Sequence, residues 1–173
     1  MPRPRKVSFD NLPSASGGIS RLLSARLRAA GIPLKPLLAR AGVTVAQIED
    51  RNARVAVQSQ IRLLELASRV LNDELLGFHL ARDCELRELG LVYYVLASSG
   101  VLTDALHNAA RYGRIVNEGV LLRIREGREI RIGLEYVNVE RRDDRQHVQF
   151  WLTIIVRLVR ELSNRRLVPG RDC

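Results

Sequence analysis

The sequence predicts an α+β domain: an N-terminal helical bundle, a small antiparallel β-sheet, then a long C-terminal helix. Three observations carry this reading. Apolar residues recur at helical spacing from Ile19 to Ser99. The period then falls to 2 across residues 120–136, the signal of a β-hairpin. It becomes helical again over residues 143–164.

Residues 1–18 read as a flexible tail. They hold three of the six prolines, then Ser14, Ser16, Gly17 and Gly18, with little to bury. Ile19, Leu22, Leu23, Leu27 and Ala30 make the first helical stripe, which Gly31 and Pro33 stop. Residues 36–40 form a short helix closed by Gly42. Thr44 can cap a further turn through Ile48, because its hydroxyl can accept from a free amide there. Residues 50–54 are a polar link. Val57–Leu71 is helical, with Val57, Ile61, Leu64 and Leu71 on one face and Leu63, Leu66 and Val70 beside it. A face that wide is expected to be buried on two sides. Asp73 can cap the next helix, which carries Leu75, Leu76, Phe78 and Leu80. Leu91–Ala97 is apolar nearly all round and is expected in the core, with Ser98, Ser99 and Gly100 ending it. Thr103 opens a further helix, where Asp104 suits the positive end of the dipole. Leu102, Leu106, Ala109, Gly113 and Val116 line one side of it, and the small residues there allow a close neighbour.

In the hairpin, residues 120–137, Val120, Leu122 and Ile124 alternate with polar positions, as do Ile130, Ile132, Leu134 and Tyr136. A three-residue loop pairs Ile124 with Ile130, Leu122 with Ile132 and Val120 with Leu134. An even loop would turn one strand's apolar side outward. Gly127 does not fall at the left-handed third position of a three-residue loop, so a longer odd loop stays open. The last helix has Asp143 and Asp144 at its start and Arg165 and Arg166 at its end, both matching the macrodipole. Val148, Trp151, Leu152, Ile155, Val159 and Leu162 are its expected buried stripe. A lone hairpin is marginal in water. Its apolar side is expected under the helix that carries Trp151, with the helix before the hairpin as the alternative.

The chain has 173 residues, 28 Lys+Arg against 19 Asp+Glu, and a net charge of +9. At 46% hydrophobic it can form a core despite that charge. Aromatic residues are 5%, too few for a surface built to stack bases. Cys84 and Cys173 make neither a disulfide scaffold nor a zinc clamp, and they suit a cytoplasmic location. No signal peptide is visible. The most apolar run, residues 148–159, is broken by Gln149, Thr153 and Arg157 and falls short of the ~18 residues a membrane span needs.

His79, His107 and His147 are far apart and lack partners at metal-ligand spacing, so neither a metal nor a cofactor is expected. Nothing matches a phosphate loop, a dinucleotide fingerprint or a nucleophile elbow, and the chain is not expected to be an enzyme. The arginines, among them Arg21, Arg26 and Arg28 on the first helix and Arg157, Arg160, Arg165 and Arg166 on the last, admit two readings. One is a phosphate-binding face for nucleic acid; the other is a solvated surface. Residues 27–49 have the outline of a helix-turn-helix. Their second helix is short and is followed by Glu49 and Asp50, which repel phosphate.

Three stretches carry a family resemblance: "PLKPLLARAGVTVAQIEDRNARVAV", "LLELASRVLNDELLGFHLARDCELRELGLVYYVLASSGVLTDALHNAARYGRIV" and "VLLRIREGREIRIGLEYV". Their order and length resemble the N-terminal sensor domain, of the arabinose-binding-like type, of AraC-family transcription regulators, over about residues 32–169. The resemblance implies an effector-sensing or dimerising domain over residues 19–169, with a small-molecule effector and a homodimer as partners. It also implies a separate DNA-binding domain with two helix-turn-helix units. The chain ends where "RRLVPGRDC" resembles the start of another strand. The sensor domain is therefore expected to be incomplete, and DNA to be reached only through a missing domain. The family offers no fixed ligand motif. Pocket chemistry instead points to the amphipathic residues of the central helices and those beside the hairpin: Tyr93, Tyr94, His107, Arg111, Tyr112 and Trp151. Arg111 suits a carboxylate through its fork geometry or is a surface charge; Tyr93 and Trp151 equally suit a core.

Overall fold

A computed structural model describes residues 12–168 and Gly170. The chain runs β1 (Ser14–Ser16), α1 (Gly18–Ala29), α2 (Leu34–Ala41), α3 (Val45–Glu49), β2 (Arg54–Ala56), α4 (Val57–Leu71) and α5 (Leu76–Asp83). A 3₁₀ turn (Leu86–Leu89), α6 (Leu91–Ala97), α7 (Leu102–Val116), a ribbon of β3 (Val120–Arg125) and β4 (Arg131–Tyr136), and α8 (Arg145–Ser163) complete it. This is the expected α+β architecture, with both sheets two-stranded and antiparallel.

Local chemistry explains the boundaries. Thr44 Oγ1 accepts from the Gln47 amide at 3.1 Å while Gln47 Oε1 accepts from the Thr44 amide at 2.9 Å, a closed capping box. Gly42, at φ 72°, ends α2 in the left-handed region that glycine adopts at little cost. The core centres on α4. Its Leu63, Leu64 and Ala67 are buried beside Leu23 and Leu27 of α1, Leu37 and Leu38 of α2, Leu76 and Leu80 of α5, and Phe150 and Ile154 of α8, while its Val57 and Ile61 pack with Ala15 of β1. Each such large side chain contributes about 1.5–3 kcal/mol by leaving water.

The structure corrects the sequence reading at six places. Residues 1–11 of the expected tail lie outside the described residues, but Ser14–Ser16 belongs to the fold, pairing with Arg54–Ala56. The polar link after α3 therefore ends in a strand. Ala15 also bridges Asn117, so β1 has partners on both sides. On α6 only Val92, Tyr93 and Leu96 are buried; Leu91 is 73% and Tyr94 57% exposed. The helix is seven residues long and packs on α7 and the 3₁₀ turn, leaving its outer side in water. In the ribbon, Val120 faces Tyr136, Leu122 faces Leu134 and Ile124 faces Ile132. The loop is odd but five residues long, which moves the pairing by two and leaves Ile130 in the loop. No residue of that loop has a positive φ, the conformation a three-residue loop needs at its last position.

The ribbon's cover is α7, not chiefly α8. Because β3 follows α7 through only Asn117–Gly119, it folds back along that helix, and Leu122 packs on the cluster of Val92, Leu96 and Ala109. Ile124, Ile132 and Leu134 remain half-buried. On α8 the buried positions are Gln146, His147, Phe150, Ile154 and Ile155, while Leu152 is exposed. The helix is rotated toward α5 because Gln146 is anchored there. Gln146 Oε1 accepts from the Gly77 amide at 2.9 Å, and its Nε2 donates to Ser68 Oγ and to the Glu74 carbonyl at 3.1 and 3.0 Å.

Gly77 makes this approach possible: a Cβ there would lie 1.9 Å from the Gln146 carbonyl oxygen. Gly77→Ala is therefore expected to destabilise the fold by about 3 kcal/mol in urea unfolding. Gly100→Ala, with nothing within 4 Å of the added carbon, should stay within about 0.5 kcal/mol.

Candidate functional site

Where α8 begins, two buried side chains are polar. His147 is fully buried, and Trp151, one turn on, donates its indole N–H to His147 Nε2 at 3.1 Å. An indole nitrogen can only donate, so Nε2 carries no proton and the imidazole hydrogen sits on Nδ1. Nδ1 then donates to the Tyr136 hydroxyl oxygen, 2.5 Å away on β4. Burial holds the His147 pKa down at about 3, with Asp144 pulling weakly the other way. Burial likewise pushes the Tyr136 phenol well above its ordinary value. All three groups are neutral near pH 7. They form a fixed polar line from ribbon to helix that sets the Trp151 ring.

Trp151 faces a small cavity of about 30 Å³, room for about one water-sized group. Ala15 and Ser16 of β1, Ile19 and Leu22 of α1, Gln60 of α4, and Leu89 in the 3₁₀ turn wall it, with Val116 of α7 and Phe150 of α8. Cys84 completes the inner wall, and its thiol pKa is raised, chiefly by burial. Of the lining residues only Glu85 and Glu88 are exposed, so they mark the mouth. Gln60 is 1% exposed and lies on the apolar side of α4 between Val57 and Leu64. Its Nε2 donates to the Ser16 carbonyl at 3.2 Å and to Ser20 Oγ at 3.4 Å, while its Oε1 has no partner. An unpaired buried acceptor costs free energy, so the position invites a donor.

The wall formed by β1 is held from three directions. The Val57 amide donates to the Pro13 carbonyl at 2.9 Å, and the Glu118 amide donates to the Ser14 carbonyl at 2.9 Å. Glu118 Oε2 accepts from the Ser14 amide and hydroxyl, both at 2.8 Å, which lowers the Glu118 pKa. Arg54 reaches across, its Nη2 donating to the Ser14 carbonyl at 2.9 Å and its Nη1 to the Ile115 carbonyl at 3.0 Å. Behind the cavity, Arg157 Nη1 donates to the carbonyls of Ala81 and Cys84, the latter at 2.7 Å, and so caps the C-terminus of α5.

The family model described as the N-terminal arabinose-binding domain of AraC transcription regulators matches residues 31–171. The chain belongs to this family. None of the curated proteins matches it. Membership identifies a ligand-sensing regulatory domain of the AraC type, acting in transcription regulation. Among the described residues, no helix of this AraC-type domain is long and apolar enough to cross a membrane.

The six amphipathic residues singled out from the sequence fall in different places within the AraC-type domain. Trp151 lines the inner cavity. His107 and Tyr112 line an outer cleft of about 430 Å³, open and polar, together with Ser98, Ser99, Asp104 and Asn108. His107 Nε2 contacts the Glu126 carboxylate and so ties α7 to the ribbon loop. Arg111 is exposed, its guanidinium 5.3 Å above the Tyr112 ring. Tyr93 is buried and donates its hydroxyl to Glu161 Oε1 at 2.5 Å; Tyr94 stands edge-on to it in water. Sequence reasoning missed Gln60, Glu85, Glu88, Tyr136 and His147. A signal existed for Gln60 alone, a polar residue inside an apolar stripe.

The histidine gives a pH prediction. An unfolded chain takes a proton on this side chain as pH falls through its ordinary 6.5, whereas the fold refuses one until about 3. The domain should therefore lose about 2 kcal/mol between pH 7 and pH 5 from this group. A His147→Gln variant, which has no such proton to gain, should show a shallower slope of stability against pH over that window, whatever its absolute stability.

Proposed function

We propose that this domain binds a small effector at the cavity beneath β1, which has room for about one water-sized group as it stands and widens around a larger guest, and transmits its occupancy, through α8 and the ribbon, to a dimer partner or a DNA-binding unit in the cytoplasm. The observation that carries the reading is the make-up of the cavity wall. Residues from Ala15 to Trp151 line it, from both ends of the described chain, so an occupant bears on β1, α1, α4, α7 and α8 together. Trp151 is the one of the six sequence candidates assigned to the effector wall. His107, Arg111 and Tyr112 serve the outer side of α7, Tyr94 the α6 surface, and Tyr93 the core between α6 and α8. Exposed Leu91 and Tyr94 on α6 and Leu152 on α8 offer apolar area to a second copy. A nucleic-acid face is the weaker reading, because many arginines are already engaged. Arg26 pairs with Asp73 and Asp83, Arg123 with Glu135 and Arg141 with Asp144, and Arg157 is spent on carbonyls.

Trp151 is the only tryptophan, so its emission reports on the cavity directly. In a thermal-stability screen of small metabolites, a true effector present at about 100 times its Kd should add about 2.7 kcal/mol of stability and shift Trp151 emission. Both effects should shrink in a Leu22→Phe variant, which fills the cavity. Stabilising compounds that leave the emission unchanged and bind that variant equally well would place the effector elsewhere.

A further inference from the structure

We infer that His147 is a two-position joint that lets the Trp151 wall yield to a guest while the ribbon stays tied to α8. This rests on the reading of the cavity as the effector site and adds how that site opens. The cavity has room for about one water-sized group, so a larger guest needs one wall to give way. Of the two aromatic walls, Phe150 is 3% exposed in the main core, whereas Trp151 is half-buried at that core's rim. Among the described residues the indole has one hydrogen bond, from its N–H to His147 Nε2 at 3.1 Å. With the indole seated, Nε2 has to stay bare. The ring hydrogen is then on Nδ1, and the Tyr136 oxygen, 2.5 Å away, accepts it.

In this seated form the phenol works against its own chemistry. A phenol O–H is a better donor than its oxygen is an acceptor, yet here the oxygen accepts. Among the described residues no other group takes the Tyr136 hydroxyl hydrogen. When a guest turns the indole aside, Nε2 loses its donor. The proton on Nδ1 is given up to water admitted beside the moving indole, and one is taken back at Nε2. Tyr136 then donates its O–H to the bare Nδ1. Burial keeps the ring neutral near pH 7, so it holds one proton in either form and no charge is created. The nearest charges offset one another: Arg141 Nε donates to Asp144 Oδ2 at 2.7 Å, and its guanidinium lies 5.1 Å from the centre of the Tyr136 ring. The contact between His147 and Tyr136 survives with its donor exchanged, so α8 keeps its hold on β4 as the cavity widens.

The test reads the ring nitrogens of the intact chain by NMR at pH 7, with its histidines labelled in nitrogen-15, since protonated and bare nitrogens resonate far apart. His79 and His107 are the other two histidines and serve as controls. In the wild-type chain His147 should show a bare Nε2 and a protonated Nδ1. In Trp151→Phe, which keeps a ring but removes the N–H, the ratio of the two forms should move about fivefold or more toward protonated Nε2, the worth of one hydrogen bond. Trp151→Leu repeats the measurement if the phenylalanine variant does not fold. In Tyr136→Phe the indole still needs a bare Nε2, so Nδ1 should stay protonated. A protonated Nε2 in the wild type, an unmoved ratio in the Trp151 variant, or a reversal in Tyr136→Phe overturns the inference. A guest gives the last reading. A compound from the metabolite screen that shifts Trp151 emission and loses that effect in Leu22→Phe should carry His147 to its second form. If such a compound leaves the first form in place, the joint is overturned and the cavity reading stands. The cavity reading itself fails only if stabilising compounds leave Trp151 emission unchanged.

Discussion

Gln146 is buried, and every polar atom of its side chain is used. Its own amide also donates to Glu65 Oε1 at 2.7 Å. One residue at the start of α8 thus binds α4 twice and α5 at its first turn, and it does so only because Gly77 has no side chain. A buried amide in this state is costly to disturb, since each partner would be left unpaired away from water. Glu65 shares the cost: burial raises its carboxyl pKa even though the Gln146 amide opposes the shift. With that end fixed, helical geometry sets the rest. His147 meets Tyr136, Phe150 and Ile154 enter the core, and Trp151 reaches the cavity one turn above His147.

The ribbon hangs from a second fixed point. Gly119 sits where an added carbon would lie 2.8 Å from Val139 and 3.1 Å from Val57, so β3 starts hard against the root of α4. The Val137 amide donates to the Gly119 carbonyl at 3.0 Å and closes the ribbon's base. Farther out, β3 and β4 depend on α7 and on surface pairs such as Arg123 with Glu135, which contribute little in water. The ribbon is firm at its base and lightly held at its tip.

The helices were legible because burial on one side leaves a period of 3.6, and α1, α4, α7 and α8 all show it. The Thr44 cap and the odd hairpin loop were legible for the same local reasons. The exact pairing was not, because an alternating pattern looks the same after a slip of two residues; only backbone angles in the loop decide between them. β1 was invisible: Ser-Ala-Ser has neither period nor hydrophobic weight, and it is a strand only because Arg54 and Glu118 hold it. Leu91 and Tyr94 misled because an apolar residue on a short helix need not be covered. Of the candidate site, Trp151 was found by its amphipathic character. Gln60, Glu85 and Glu88 are ordinary polar residues until folding brings them to one cavity.

A strand of three residues that serves as a cavity wall has one further consequence. Ala15 lies in register between Val55 and Asn117, and the Glu118 amide donates to the Ser14 carbonyl on the Asn117 side, so β1 is a shared seam: one edge belongs to the helical body and the other to the root of the ribbon. Detaching that seam would unroof the cavity and unhitch the ribbon in a single event. Whatever fills the void therefore tightens the stitching between the two halves of the molecule, and whatever loosens the stitching lowers the hold on the guest.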